Sequence, residues 1–186
     1  NMMFSCLFGV GYVVVRYRKS GFLRRLSATP LTAAEFGAAQ ILSRLILTIS
    51  VSSLLYGALA LFVPFRNEGH VLVLLLIAVA GAMSMIAFGF MMAARIASEE
   101  LANGVINLAS WPMMLLSGVW FSLEGAPQWL QQAARVLPLT QMLEAARAVM
   151  LDGAGLVQVL PQIGWLAAMT ILFLGIAATG FRWRPD

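Results

Sequence analysis

The chain has 186 residues, 61% of them hydrophobic and 11% charged, with a mean hydropathy of +0.87 and a formal net charge of +4. Soluble domains carry about 25% charged and 45–50% apolar residues, so a soluble fold of this length could not hide so much apolar surface. The basic residues cluster beside apolar segments and not on a polar face, which excludes nucleic acid as the partner and points to membrane topology.

The expected fold is an all-α polytopic membrane protein, a single transmembrane domain over 1–186 with five spans. Residues 1–15 read as the inner part of a helix that begins upstream, because a full span needs about 20 residues and Arg16 arrives too soon. No targeting segment can be read there. The loop 16–34 follows, with five of the twelve basic residues (Arg16, Arg18, Lys19, Arg24 and Arg25) inside ten positions. Such a loop between apolar spans is predicted to be cytoplasmic. Within it, Ser20 to Thr29 suits a short surface helix with Phe22, Leu23 and Leu26 on one face, started at Gly21 and stopped by Pro30. Thr32 and Glu35 then form a capping box that opens the next helix.

Spans are predicted at 35–63, 71–95, 101–121 and 156–181, the third of these interrupted by Pro112 and Gly118. This topology puts nine basic residues on the inner side (16, 18, 19, 24, 25, 44, 95, 182, 184) and three outside (66, 135, 147). Residues 122–153 contain two short amphipathic helices, one opening near Pro127 and the other separated from it by Pro138. Each is too short to span and too apolar to be solvated, so the pair is predicted to form a re-entrant hairpin in the outer leaflet. Trp111, Trp120 and Trp129 suit headgroup depth. Gly57, Gly81, Gly89, Ala93 and Gly175 are small residues of the kind that let helices approach closely in lipid.

Chemical motifs are sparse. The sequence has no G-x-x-x-x-G-K-[ST], and its one lysine, Lys19, follows no phosphate loop. Cys6 lies in an apolar run without metal-binding company, and His70 sits in a short loop. Ser117-Gly118 has no histidine base within the same segment. The eight carboxylates fall at or beyond the span ends, whereas proton- and ion-driven carriers place ionisable groups within spans. The energy source must then lie elsewhere.

Three stretches resemble the membrane subunit of a type-2 ATP-binding-cassette exporter of the drug-resistance kind. They are R-K-S-G-F-L-R-R-L-S-A-T-P-L-T-A-A-E, S-E-E-L-A-N-G-V-I-N-L, and the long run W-P-M-M-L-L-S-G-V-W-F-S-L-E-G-A-P-Q-W-L-Q-Q-A-A-R-V-L-P-L-T-Q-M-L-E-A-A-R. The resemblance implies six helices in the full subunit, a second permease subunit (identical or related) and a separate nucleotide-binding ATPase that holds ATP and Mg. This chain itself would carry no cofactor, metal or catalytic residue. It further implies that Gly21, Phe22, Leu23, Arg24, Arg25 and Leu26, with Thr29 and Pro30, dock on the ATPase. Pro112, Ser117, Gly118, Phe121, Pro127, Trp129, Pro138, Leu139 and Thr140 would shape an outer gate, with Glu144 and Arg147 on the wet face of the hairpin. Two departures stand out: Lys19 and Arg24 replace residues that are often acidic in the family's coupling loop, and Ser122 replaces a common proline.

Competing readings accompany each assignment. The basic loop could simply anchor to anionic lipid. Glu144 and Arg147, at i and i+3, could pair with each other. Phe4, Phe8, Tyr12, Asn107, Trp111 and Met114 are candidates for a substrate path, against plain packing or lipid contact. For the whole chain the favoured reading is a permease moving a hydrophobic or amphipathic compound across the inner membrane. The alternatives are a non-transporting scaffold or sensor subunit, and an ion-coupled carrier.

Overall fold

A computed structural model of the chain describes residues 2–19, 33–62, 70–96, 98–120 and 125–180. These residues are helical wherever they are regular, as an apolar solvent demands: a backbone that cannot hydrogen-bond to water must satisfy itself within one segment. The helices are α1 (Met2–Lys19), α2 (Ala33–Phe62), α3 (Val71–Arg95), α4 (Glu99–Leu116), α5 (Gln128–Val136), α6 (Pro138–Asp152) and α7 (Leu156–Gly180). The segment predicted to be a surface helix, Ser20 to Thr29, lies outside the described residues, as does Thr32 of the capping box.

Among the described residues, three helices are long and apolar enough to cross a bilayer: Glu35–Phe62 within α2, Val71–Ala94 within α3 and Leu156–Thr179 within α7. The other two predicted spans are shorter. Met2–Tyr17 of α1 is apolar but falls below spanning length. Helix α4 has 18 residues, begins with two glutamates and ends at Leu116, five positions before Phe121. Its start is well specified. Ser98 has an extended backbone and its Oγ accepts the Leu101 N–H at 3.2 Å. Glu99 and Glu100 then place negative charge beside the positive end of the helix dipole.

Helix α3 is the hub, packing against α7, α1, α6, α2 and α4. From Gly81 to Ala94 nearly every position is buried, because small side chains (Ala82, Ser84, Ala87, Ala93) let neighbours close in from all sides. At Gly89 the backbone of α1 approaches so closely that a Cβ would lie 2.9 Å from the Leu7 carbonyl oxygen. Helix α1 presents Met3, Cys6, Leu7, Val10 and Val14 at i, i+3/i+4 spacing, and these meet Met85, Ile86, Ile106 and Met113 in one core. Cys6 is fully buried, and its Sγ–H points to Thr48 Oγ1 at 3.8 Å. A second core joins Val73 and Ile77 of α3 to Ala145 and Val149 of α6 and Val159 of α7. The rings of Phe88 and Phe173, 5.1 Å apart, extend the α3–α7 contact towards the other end.

Short connections make successive helices antiparallel. One end of the bundle therefore gathers Lys19, Arg95 and Ser98, with Tyr17 edge-on to Phe36 at 6.3 Å. The opposite end gathers Met2, Phe62, Val71, the end of α4 and the α5–α6 pair. Helix α6, 15 residues or about 22 Å long, is too short to cross. It packs against α3 and α7, with Pro138, Leu139 and Thr140 buried at its start and Leu151 and Asp152 exposed at its end, whereas α5 lies at the surface with Ala134 as its buried residue.

Candidate functional site

The site is built where α4 stops. Pro112 interrupts α4, removing one backbone donor from the ladder. Five residues later Ser117 caps the helix, its Oγ donating to the Met114 carbonyl at 2.8 Å. Gly118 then takes the left-handed backbone (φ 73), which a residue with a Cβ adopts only at a cost of about 1–2 kcal/mol. The turn frees the Gly118 carbonyl, and the Arg147 guanidinium of α6 donates to it at 2.8 Å. One charge-assisted hydrogen bond of this kind contributes about 1.5–3 kcal/mol and holds the end of α4 against the hairpin.

The hairpin is fixed by its own chain. Pro127 sits at the N-cap of α5. Leu137 closes α5 with its N–H on the Ala134 carbonyl (3.0 Å) and opens α6, where Pro138 takes the first helical position without wasting a donor. Gln131 Nε2 donates to Ala126 O (3.0 Å) and Gln141 Nε2 to Arg135 O (2.7 Å). Gly153 (φ 64) ends α6, and the Trp165 indole of α7 donates to Val136 O at 3.5 Å.

Between the end of α4 and the two hairpin helices lies a cavity of about 590 Å³ with a mainly polar lining. Ser117, Gly118, Thr140, Glu144 and Arg147, all named from sequence, meet there, joined by Gln131 and Arg135 of α5. Thr140 is 3% exposed and its hydroxyl has no hydrogen-bond partner among the described residues. The pairing expected of Glu144 with Arg147 is not made: Arg147 reaches across to Gly118 instead, and Glu144 forms no ion pair among the described residues. The reason is geometric, since the left-handed turn at Gly118 offers a carbonyl that would otherwise be unsatisfied.

The remaining residues predicted to shape a gate separate. Pro138 and Leu139 are buried in the bundle, whereas Pro112, Pro127 and Trp129 are exposed and off the cavity. Phe121 lies outside the described residues. So do all the residues predicted to dock on an ATPase, Gly21 to Leu26, Thr29 and Pro30.

At the same end an apolar cleft runs between α1, α2, α3 and α6. It has two adjoining sections of about 400 and 310 Å³ that share Met2, Ser52, Tyr56 and Met142. Phe4 and Met114 line it. Phe8 is stacked on Phe4 at 5.9 Å and packs against the first core. Asn107 and Trp111 do not reach the cleft. They sit one turn apart on the exposed face of α4, Asn107 donating to the Asn103 carbonyl at 2.9 Å. Tyr12 belongs to α1, and its side chain lies outside the described residues.

Sequence reasoning missed Arg135, Gln131, Tyr56 and Met142. The first two carried a signal: they are four apart, so they share the polar face of α5. Tyr56 is the one aromatic hydroxyl within α2. Nothing marked Met142, whose place follows only from the packing of α6 on α3.

Residues 1–179 match the ABC-2 family transporter protein family. The chain belongs to the ABC-2 transporter family. It is 27% identical over 185 residues to the inner membrane transport permease YhhJ of Escherichia coli strain K12, an alignment covering 98% of this chain and 49% of that protein. It is also 25% identical over 187 residues to the linearmycin resistance permease protein LnrN of Bacillus subtilis strain 168, covering 96% of this chain and 48% of that one. The chain thus spans about half the length of the curated relatives it matches. Within the three long spans the charged residues are Glu35, at the start of α2, and Arg44, in its first half.

Proposed function

We propose that this chain is the membrane-embedded permease part of an ATP-driven exporter in a bacterial inner membrane, moving a hydrophobic or amphipathic compound. The single observation that carries this reading is the family match over 1–179, taken with an apolar cleft that has no fixed charge in its lining. The name of the Bacillus relative, a resistance permease, is consistent with a drug-like cargo. Power comes from a separate nucleotide-binding ATPase that docks on loop 20–31 through Phe22, Leu23 and Leu26, with Arg24 and Arg25 around them. ATP and Mg belong to that partner. A second permease subunit completes the path; the polar Asn107 side chain, exposed on α4 beside Trp111, supports this, because lipid alone would leave its amide poorly satisfied. The gate residues Ser117, Gly118, Thr140 and Arg147 lie on the outer side.

Pull-down of the full-length permease from detergent tests the coupling. Wild type is expected to retain a nucleotide-binding ATPase. Phe22→Asp/Leu26→Asp is expected to lose at least about tenfold of it while eluting as the same monodisperse species. ATPase retained equally by both forms removes the coupling role of the loop. ATPase retained by neither removes the exporter reading itself. If the partner binds but transport collapses when the ion gradient is dissipated at constant ATP, the ion-coupled carrier replaces it.

A further inference from the structure

The polar cavity and the apolar cleft share a wall. Val119 lines both, and on α6 the change from one to the other occurs between Leu139, which faces the cleft, and Thr140, which faces the cavity. On the polar side stand two guanidinium groups against one carboxylate, so the described lining carries a net positive charge. Arg135 makes no side-chain hydrogen bond or ion pair among the described residues, and Arg147 uses one N–H on Gly118 out of the five that a guanidinium offers. The Thr140 hydroxyl, buried and unpartnered at the same cavity, lacks the acceptor or donor that such a group ordinarily requires. Trp120, 65% exposed, forms part of the rim, which suits headgroup depth.

From this juxtaposition we infer that the cavity and the cleft form one bipartite site for an amphiphile with a phosphate head. The head sits among Arg135, Arg147 and Thr140, and the tail runs along Phe4, Tyr56 and Met142. Arginine forks match phosphate oxygens in a bidentate way, the Thr140 hydroxyl donates to a third oxygen, and Glu144 opposes the charge of the head. The site rests on the export reading for its purpose, as the place where cargo is held at the outer leaflet, but binding itself needs no ATPase.

Native mass spectrometry of the full-length permease in detergent provides the test, with dioleoylphosphatidylglycerol, the uncharged dioleoylglycerol with the same tails, and inorganic phosphate as probes. Wild type is expected to bind the phospholipid at least about tenfold more tightly than the diacylglycerol. Arg135→Gln/Arg147→Gln should abolish that preference, and Thr140→Val should weaken phospholipid binding by about threefold to tenfold. Met142→Trp, which fills the cleft, should weaken both lipids together. Glu144→Gln keeps the shape and removes the opposing charge, so it should strengthen phospholipid binding; a misfolded variant could not mimic a gain. Equal binding of the two lipids, or no gain in Glu144→Gln, overturns the proposal. So does inorganic phosphate that displaces the phospholipid completely and binds Met142→Trp as well as wild type, since the site would then hold a free anion without a tail. Lipid binding that survives while ATP-dependent transport is absent leaves the site standing and overturns the export reading. Transport of amphiphiles that survives in Arg135→Gln/Arg147→Gln, with no lipid preference in wild type, does the reverse.

Discussion

Helices α2 and α3 are both apolar enough and long enough to cross a membrane, yet they hold opposite places in the bundle. In the most apolar stretch of α3, 44% of positions are buried; in α2 the figure is 6%. The number of small residues does not account for the difference, since α2 carries twelve Gly, Ala and Ser and α3 nine; it lies in where they fall. Helix α3 carries Gly81, Ala82, Ser84, Ala87, Gly89, Ala93 and Ala94 within fourteen positions, and other backbones come close to it on several sides. Helix α2 shows Leu42, Ile46, Leu54, Leu59 and Leu61 to the outside, which in lipid costs nothing. Water would have penalised that exposure; hydrocarbon does not, so packing in the bilayer follows close contact and not apolarity.

Gly89 is where the contrast breaks most completely. A Cβ there would meet the Leu7 backbone oxygen, and a backbone cannot rotate away as a side chain can. Gly89→Ala is expected to destabilise by about 3 kcal/mol or more, seen as loss of the monodisperse species on gentle heating in detergent. Gly11→Ala should rank second, at about 1–3 kcal/mol, because its Cβ meets Ile106 Cδ1. Ile106→Val removes that methyl and should restore most of the loss in the double variant. Recovery in the double variant ties the effect to that one contact; additive losses would instead point to a general intolerance of α1.

How much of this was legible in the sequence differs from helix to helix. The three long apolar helices follow from apolar run lengths, and the two short helices at 128–136 and 138–152 from Pro127 and Pro138, whereas the span predicted at 101–121 stops at Leu116. Small residues in α3 marked Gly81 and Gly89 as contact points, and both are. The same rule also named Gly57 and Gly175, which have nothing within 4 Å of an added Cβ. Composition cannot say which of several glycines faces a neighbour, because that depends on the rotation of each helix about its axis. The cavity was half legible. Thr140, Glu144 and Arg147 share a helix and a spacing, but the hydrogen bond from Arg147 to Gly118 spans 29 positions and depends on a left-handed turn that no local pattern announces.

That turn sharpens the comparison at the cavity. Arg147→Met keeps an unbranched apolar stem and removes the donors. It is expected to cost up to about 1.5–3 kcal/mol by removing the charge-assisted hydrogen bond to the Gly118 carbonyl. The loss should be smaller than that of Gly89→Ala, since the carbonyl lies at the rim where water can replace the donor.

The smallest effects belong to α2 and to the soft contact on α3, and their order is itself informative. A Cβ at Gly81 would collide with Met142, but with a thioether chain that has three rotatable bonds and can move aside. Gly81→Ala should therefore cost only about 1 kcal/mol, and less when combined with Met142→Ala. Gly57→Ala should be neutral within about 0.5 kcal/mol, or slightly stabilising through helix propensity, when the protein is held as a single subunit. The informative departure is a Gly57→Leu variant that stays folded but loses stability only in the assembled transporter. The open space beside Gly57 would then be filled by another chain, and the low burial of α2 would be a property of the isolated subunit, with a neighbouring helix and not lipid against that face. If Gly57→Leu is silent in both states, α2 faces lipid there. The difference between α2 and α3 is then one between a helix that only crosses the membrane and a helix that holds the bundle together.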